Sequence, residues 1–284
     1  MVKDNILIKN IPNLFTSLNL LSGAIAILLS FEGRNNLSLA AYFIYVAAVF
    51  DFLDGFAARI LKATSKIGKE LDSLADLISF GMAPSMILYQ LIKHNLQIKQ
   101  FSFSLETYKI LMVFSALLIV IFSALRLAKF NNDTRQTENF LGLATPATAM
   151  LIASIPLIAE FNPNGLILFP AISKNIYFFL GLLFLEAFVV KPAFLIPMTL
   201  LLSFLMTSEM PMFSIKFKSY NFEENKLKYY FLICSFVLFI VLQILAVPLI
   251  FILYLTFSFF NNLLDKRLAK RSHLDRLFAE TSNQ

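Results

Sequence analysis

Apolar runs of about the length that crosses a bilayer as a helix, roughly 20 residues, recur along this chain with short polar links between them. They fall at 12–31, 37–60, 72–93, 107–127 and 140–160. The first run contains Pro12, Asn13, Thr16 and Asn19 and ends without a small-residue cleavage site, so it reads as a retained helix and not a signal peptide. The links alternate in charge. Arg59, Lys62, Lys66 and Lys69 make 60–71 basic, Arg126, Lys129 and Arg135 do the same after the fourth run, and Lys3 and Lys9 precede the first. Basic loops stay on the cytoplasmic side, which puts the weakly charged 31–36 and 161–174 on the other.

Beyond residue 160 the pattern allows two readings. The run 175–208 is either a hairpin turning at Lys191-Pro192 or one span, 191–208, preceded by a shallow segment. Glu186 counts against 175–190 crossing lipid alone, and Lys216, Lys218, Lys226 and Lys228 draw 209–227 to the cytoplasm, favouring the second. Residues 228–261 then form two short helices meeting near Pro248, and a basic, leucine-containing tail ends the chain. Eight spans are expected, within a range of seven to nine. The tail fits either an anionic lipid surface or a solvated end that fixes topology.

Composition agrees with this class. Of 284 residues 58% are hydrophobic and 15% charged, and mean hydropathy is +0.73. Soluble domains have about 25% charged residues. The net charge of +6 belongs to the loops between spans, which makes topology and not nucleic acid its explanation. Cys234 is the one cysteine, so no intramolecular disulfide and no cysteine-based zinc site can form. With only His94 and His273 as imidazoles, any metal would be held by oxygen ligands, hence a hard divalent ion.

Four aspartates interrupt the lipid-soluble pattern. Asp51 and Asp54 share a face near the end of the second run, and Asp72 and Asp76 share one at the start of the third. Each charge costs about 2.5–3.5 kcal/mol at the centre of a membrane helix. The basic link lets the two ends lie side by side, so four carboxylates can converge near the cytoplasmic surface. Pairing with Arg59, Lys62, Lys66 and Lys69 is one way to hold them there. Cations bound among them are another, and two divalent ions about 4 Å apart suit phosphoryl-type displacement. Gly55 and Ala58 clear a groove beside the acids, Arg59 offers a donor fork for phosphate, and Gly68 opens the third helix where free N–H groups favour anions.

Written out, the run is D51-x2-D54-G55-x2-A58-R59-x8-G68-x3-D72-x3-D76. It resembles the signature of the CDP-alcohol phosphatidyltransferase family at every motif position. The resemblance implies an all-α polytopic membrane bundle with a six-helix catalytic core, here with about two extra helices, often a homodimer. Such an enzyme uses divalent metal, Mg²⁺ or Mn²⁺, to join a CDP-activated lipid or alcohol to an alcohol acceptor with release of CMP. By position, Asp51, Asp54, Asp72 and Asp76 resemble metal ligands, with Asp76 also the general base. Gly55, Ala58, Arg59 and Gly68 resemble the nucleotide and diphosphate contacts, and Asn13 and Thr16 in "IPNLFTSLN" resemble the first-helix wall of the nucleotide pocket.

"DSLADLISFGMAPS", "RLAKFN" and "FLGLATPATA" are similar to the branch of the family that uses CDP-diacylglycerol as donor and L-serine as acceptor. Serine's carboxylate calls for a cation, for which Arg126 and Lys129 are available; Asn131 suits the amine or a helix cap, and Ser79 and Pro84 read as pocket wall. The resemblance covers 10–160 well and 191–218 more loosely. It divides the chain into a 1–218 catalytic membrane domain, additional helices over 219–262 and a basic cytoplasmic tail over 263–284, in a bacterial-type cell membrane. Another acceptor within the family, or a non-enzymatic ion-binding membrane protein, is the alternative.

Overall fold

Helices make up nearly all of the structure, a computed structural model that describes residues 6–63, 65–132, 140–160, 188–212 and 221–262. Helix α1 spans Ile6–Phe31, and Gly33, at φ 114°, turns the chain into α2, Leu37–Ile60. Ser65 caps α3 (Lys66–Asn95) by accepting the Gly68 N–H at 2.9 Å, which satisfies one of the donors a helix start leaves unpaired. Helix α4 runs Thr107–Asn132, tightened to a 3₁₀ turn at Ser115–Leu117. Gly142, at φ 72°, and a proline in the first turn set the start of α5, Thr145–Ala159. Helices α6 (Pro192–Thr207) and α7 (Phe222–Leu242) follow, and α8 occupies 246–262.

The described residues cluster into two compact units, one of 6–132 with 143–208 and one of 140–142 with 209–262. In the first, α3 is the central element: 72% of its apolar window is buried, against 33% for each of α1, α2 and α4. Helix α1 packs on α2 and α3, α5 on α2, and α6 on α4. Polarity in α1 is inverted relative to a soluble helix. Thr16, Asn19 and Ser30 are buried while Leu14, Leu21 and Leu28 are exposed, as befits a helix whose solvent is lipid.

Within α3 the residues Leu77–Met82 form a π-helical stretch. It lies where α1 and α4 both approach α3 closely. A Cβ on Gly23 of α1 would stand 2.6 Å from the Ser79 Cα, and one on Gly81 would stand 3.1 Å from Ser123 Cβ of α4. Small residues let membrane helices gain the close packing that the hydrophobic effect does not supply there.

In the second unit β1 (Phe140–Leu141) and β2 (Pro211–Met212) pair antiparallel over two residues each. The stretch Asn225–Asn262 is apolar throughout but is not one rod. Phe231 meets Tyr254 and Phe257 with ring centroids 6.1 and 5.9 Å apart, so α7 and α8 fold back on each other around the turn at Gln243–Leu245, where Gln243 has φ 49°. The expected pair of short helices is present, with its turn five residues before Pro248. That proline falls in the first turn of α8, where its missing N–H costs nothing.

Among the described residues five stretches are long and apolar enough to cross a membrane, consistent with an all-α polytopic membrane protein. Helices α5 and α6, of 15 and 16 residues, are about 22–24 Å long at 1.5 Å per residue. Helix α6 covers most of the expected 191–208 span. The alternatives for 175–187, the 161–174 loop and the basic tail at 263–284 lie outside the described residues.

Candidate functional site

The end of α2 and the start of α3 are joined by residues 61–65, where Lys62 adopts φ 51°. This link is shorter than the sequence suggests because Ser65 starts α3 six residues before the apolar run. Nearly two further turns of helix, 66–71, therefore carry Gly68 alongside the end of α2 ahead of Asp72 and Asp76. The outcome is a cluster: Asp51, Asp72 and Asp76 each place a carboxylate oxygen within 4.8 Å of the others. Asp54, buried to 6% exposure, lies beside them and accepts the Thr16 hydroxyl at 2.8 Å. Asp76 accepts the Asn19 amide at 3.2 Å through Oδ1.

Among the described residues no lysine or arginine forms an ion pair with any of the four. Arg59 turns back instead, its Nε donating to the Gly55 carbonyl at 2.9 Å, and Lys69 Nζ reaches the Asn131 carbonyl at 3.4 Å. Asp72 Oδ1 is buried without a hydrogen-bond donor among the described residues. Close carboxylates with no cationic partner and an orphaned buried oxygen are the donor set of a hard divalent cation. The residues present fit such an ion.

Asp72 also opens onto a cavity of about 510 Å³, walled by Asn13 and Thr16 of α1, by Asp54, Gly55 and Ala58 of α2, and by Lys66, Gly68 and Lys69 of α3. A Cβ on Gly55 would meet nothing nearer than Arg59 Nη2 at 3.8 Å. The chain's own packing does not require glycine there, which leaves room for something outside the chain as the reason. Gly68 differs. Its N–H is taken by Ser65, so it is not a free anion donor, and its Cβ would stand 2.9 Å from Asn13 Oδ1. Its smallness seats Asn13 at the cavity wall.

The three residues considered for serine sit on the last turns of α4. Arg126 is buried, donates to Thr145 Oγ1 at 3.1 Å and lies 5.7 Å from the Phe130 ring centroid. Lys129 is exposed and reaches the Thr207 carbonyl at 3.4 Å. Asn131 donates to Ser73 Oγ at 2.8 Å, so with Lys69 it ties the end of α4 to the turn of α3 between Asp72 and Asp76. Ser79 donates to the Asn19 carbonyl at 2.9 Å, and Pro84 is buried in α3.

Asn19, noted in the first run as a polar residue, was given no role in the site by the sequence. It lies three residues after Thr16, which lies three after Asn13, so all three share a face of α1. That spacing was the available signal.

The fold and the site define a class: a polytopic helical membrane protein with a metal-competent carboxylate cluster beside a cavity near one end of its helices. The chain belongs to the CDP-alcohol phosphatidyltransferase family, whose model matches residues 9–260. It is 37% identical over 149 residues to the CDP-diacylglycerol–serine O-phosphatidyltransferase of Helicobacter pylori, covering 52% of this chain and 57% of that protein. It is 36% identical over 160 residues to the protein of the same name in Bacillus subtilis, with 56% and 79% covered. Archaetidylserine synthase of Methanothermobacter thermautotrophicus is 36% identical over 157 residues, with 54% and 60% covered. The match thus spans little more than half the length of the Helicobacter and Methanothermobacter relatives.

Proposed function

We propose that this chain transfers the phosphatidyl group of CDP-diacylglycerol to L-serine, releasing CMP, at a site facing the cytoplasm of a bacterial-type cell membrane. The observation that carries the reading is the position of Asp72, which belongs both to the unpaired acid cluster and to the wall of the cavity. Relatives named for serine lipids support the acceptor, since their names share serine while the lipid differs. The reacting part is 1–218, and the family resemblance alone supports a homodimer.

Divalent ions held by Asp51, Asp54, Asp72 and Asp76, Mg²⁺ or Mn²⁺, would supply positive charge to the diphosphate and to the charge that develops in the displacement. The chain's own groups do the rest. Asn13 and Thr16 wall the nucleotide, Gly55 and Ala58 leave space for the diphosphate, and Arg59, released from the Gly55 carbonyl, gives donors to its oxygens. Asp76 takes the serine hydroxyl proton as the new O–P bond forms and the bond from that phosphorus to CMP breaks. General-base help of this kind contributes about 10²–10⁴-fold. Arg126 and Lys129 are the cations assigned to the serine carboxylate, and Asn131 is assigned to its amine.

The test is CMP release by detergent-purified protein given CDP-diacylglycerol, Mn²⁺ or Mg²⁺, and one of L-serine, glycerol 3-phosphate or inositol. Release with serine alone, lost in Asp76→Asn, is expected. Release with another alcohol would keep the transferase and replace the acceptor. No release with any of them, from folded protein that binds Mn²⁺, would overturn the reading.

A further inference from the structure

Asn19 holds both sides of the junction at which α3 changes from α to π. Its side-chain Nδ2 donates to Asp76 Oδ1 at 3.2 Å, and its main-chain carbonyl accepts the Ser79 hydroxyl at 2.9 Å. Asp76 is the last residue before the π stretch and Ser79 lies inside it. One turn further along α1, Gly23 lets the Ser79 backbone approach so closely that a Cβ would stand 2.6 Å from its Cα. Helix α1 therefore grips α3 at the residues that set where the Asp76 carboxylate faces.

The Asn19 amide is not satisfied as a packing residue would be. The side chain is fully buried, and its Oδ1 has no donor among the described residues. An amide bonded on one end to a cluster carboxylate, with the other end empty, is arranged for the loaded site. Buried polar atoms otherwise find partners.

Resting on the transferase reading above, we propose that Asn19 is the positioning residue for Asp76. It holds one carboxylate oxygen so that the carboxylate faces Asp51 and Asp72, where it would help hold a bound ion and would be placed to take the serine proton. A neutral amide is the suitable group, since an acid would add a fifth negative charge and an amine would pair with Asp76 and compete with the ion.

The experiment uses the full chain in detergent and reads two quantities. One is Mn²⁺ affinity by EPR titration, which needs neither lipid nor alcohol; the other is kcat and KM for CMP release with serine. Asn19→Ala is expected to weaken Mn²⁺ binding or lower kcat by about 10–100-fold, the usual effect of removing a partner that orients a ligand. KM for CDP-diacylglycerol should change less than about threefold. Ser22→Ala, which removes a hydroxyl bonded only within α1, should leave both unchanged. If the alanine variant does not fold, Asn19→Leu fills the same space without the amide and is judged by the same outcomes. Wild-type Mn²⁺ affinity together with wild-type kcat, or a KM effect alone, would sink the proposal. Weakened Mn²⁺ binding in a protein that releases no CMP with any alcohol would retain it while discarding serine transfer.

Discussion

Two glycines separate the demands of packing from those of the site. A methyl on Gly68 would press on Asn13 Oδ1 at 2.9 Å and Ser65 Oγ at 3.0 Å, both ends of side chains that can rotate. A methyl on Gly23 would meet the Ser79 main chain, which cannot. Gly68→Ala should therefore change stability by less than about 1 kcal/mol, the gain in helix propensity offsetting any loosening of the Ser65 cap, yet displace Asn13 from the cavity. A lost hydrogen bond of about 0.5–1.5 kcal/mol corresponds to roughly a 2–10-fold rise in KM for CDP-diacylglycerol. Gly23→Ala should instead cost about 1–3 kcal/mol of stability, read as an earlier thermal aggregation midpoint in detergent. Equal thermal losses in the two variants would refute the distinction. The acids were legible at this scale because charge in an apolar run costs too much to be incidental. Asn19 was not, because a neutral amide among leucines says nothing of which helix it will meet.

Helices were legible where hydropathy alone bounds them and shifted where a cap or a turn decides. Helix α1 ends at Phe31 and α2 at Ile60, where the apolar runs stop. Helix α3 begins at Lys66 because Ser65 caps it. The α7–α8 turn falls at Gln243, in a conformation no hydropathy profile registers. The π stretch at Leu77–Met82 is likewise invisible in the sequence, because it amounts to one extra residue accommodated in a helix. It sets the angle between the acid-bearing start of α3 and the buried Ala83–Asn95 that anchors it. Deleting Ile78 removes that extra residue, so the stretch should relax to α with Asp72 and Asp76 in their present phase to that anchor, whereas an alanine inserted after Ala83, in the regular α part, should turn them by about 100°. The insertion variant is expected to keep its helical circular dichroism and lose Mn²⁺ binding and CMP release together. Retained Mn²⁺ affinity in the insertion variant would mean that the phase of α3 does not set the site.

For the whole molecule the open question is which way the acid cluster faces. The end that bears it carries Arg59, Lys62, Lys66, Lys69, Arg126 and Lys129, and the hydrogen bonds of Lys69 and Asn131 bring the α3 start and the α4 end together there. The opposite end of the same unit carries Arg34, Lys93, Lys99, Lys109 and Lys191. The larger number of lysines and arginines favours the acid end as cytoplasmic, and the proposed reaction would need the same side, since a charged nucleotide lipid and free serine would be met where they are made. Orientation can be read after Cys234→Ser removes the one native thiol, which is exposed on α7. A single cysteine at Lys62→Cys, in the link between α2 and α3, should then react with a membrane-impermeant maleimide only after cells are opened. Asn35→Cys, in the turn between α1 and α2, should react in intact cells. The reverse pattern would place the carboxylates at the outer rim, away from nucleotide and serine alike, and would rule out the proposed reaction however well the purified protein bound metal.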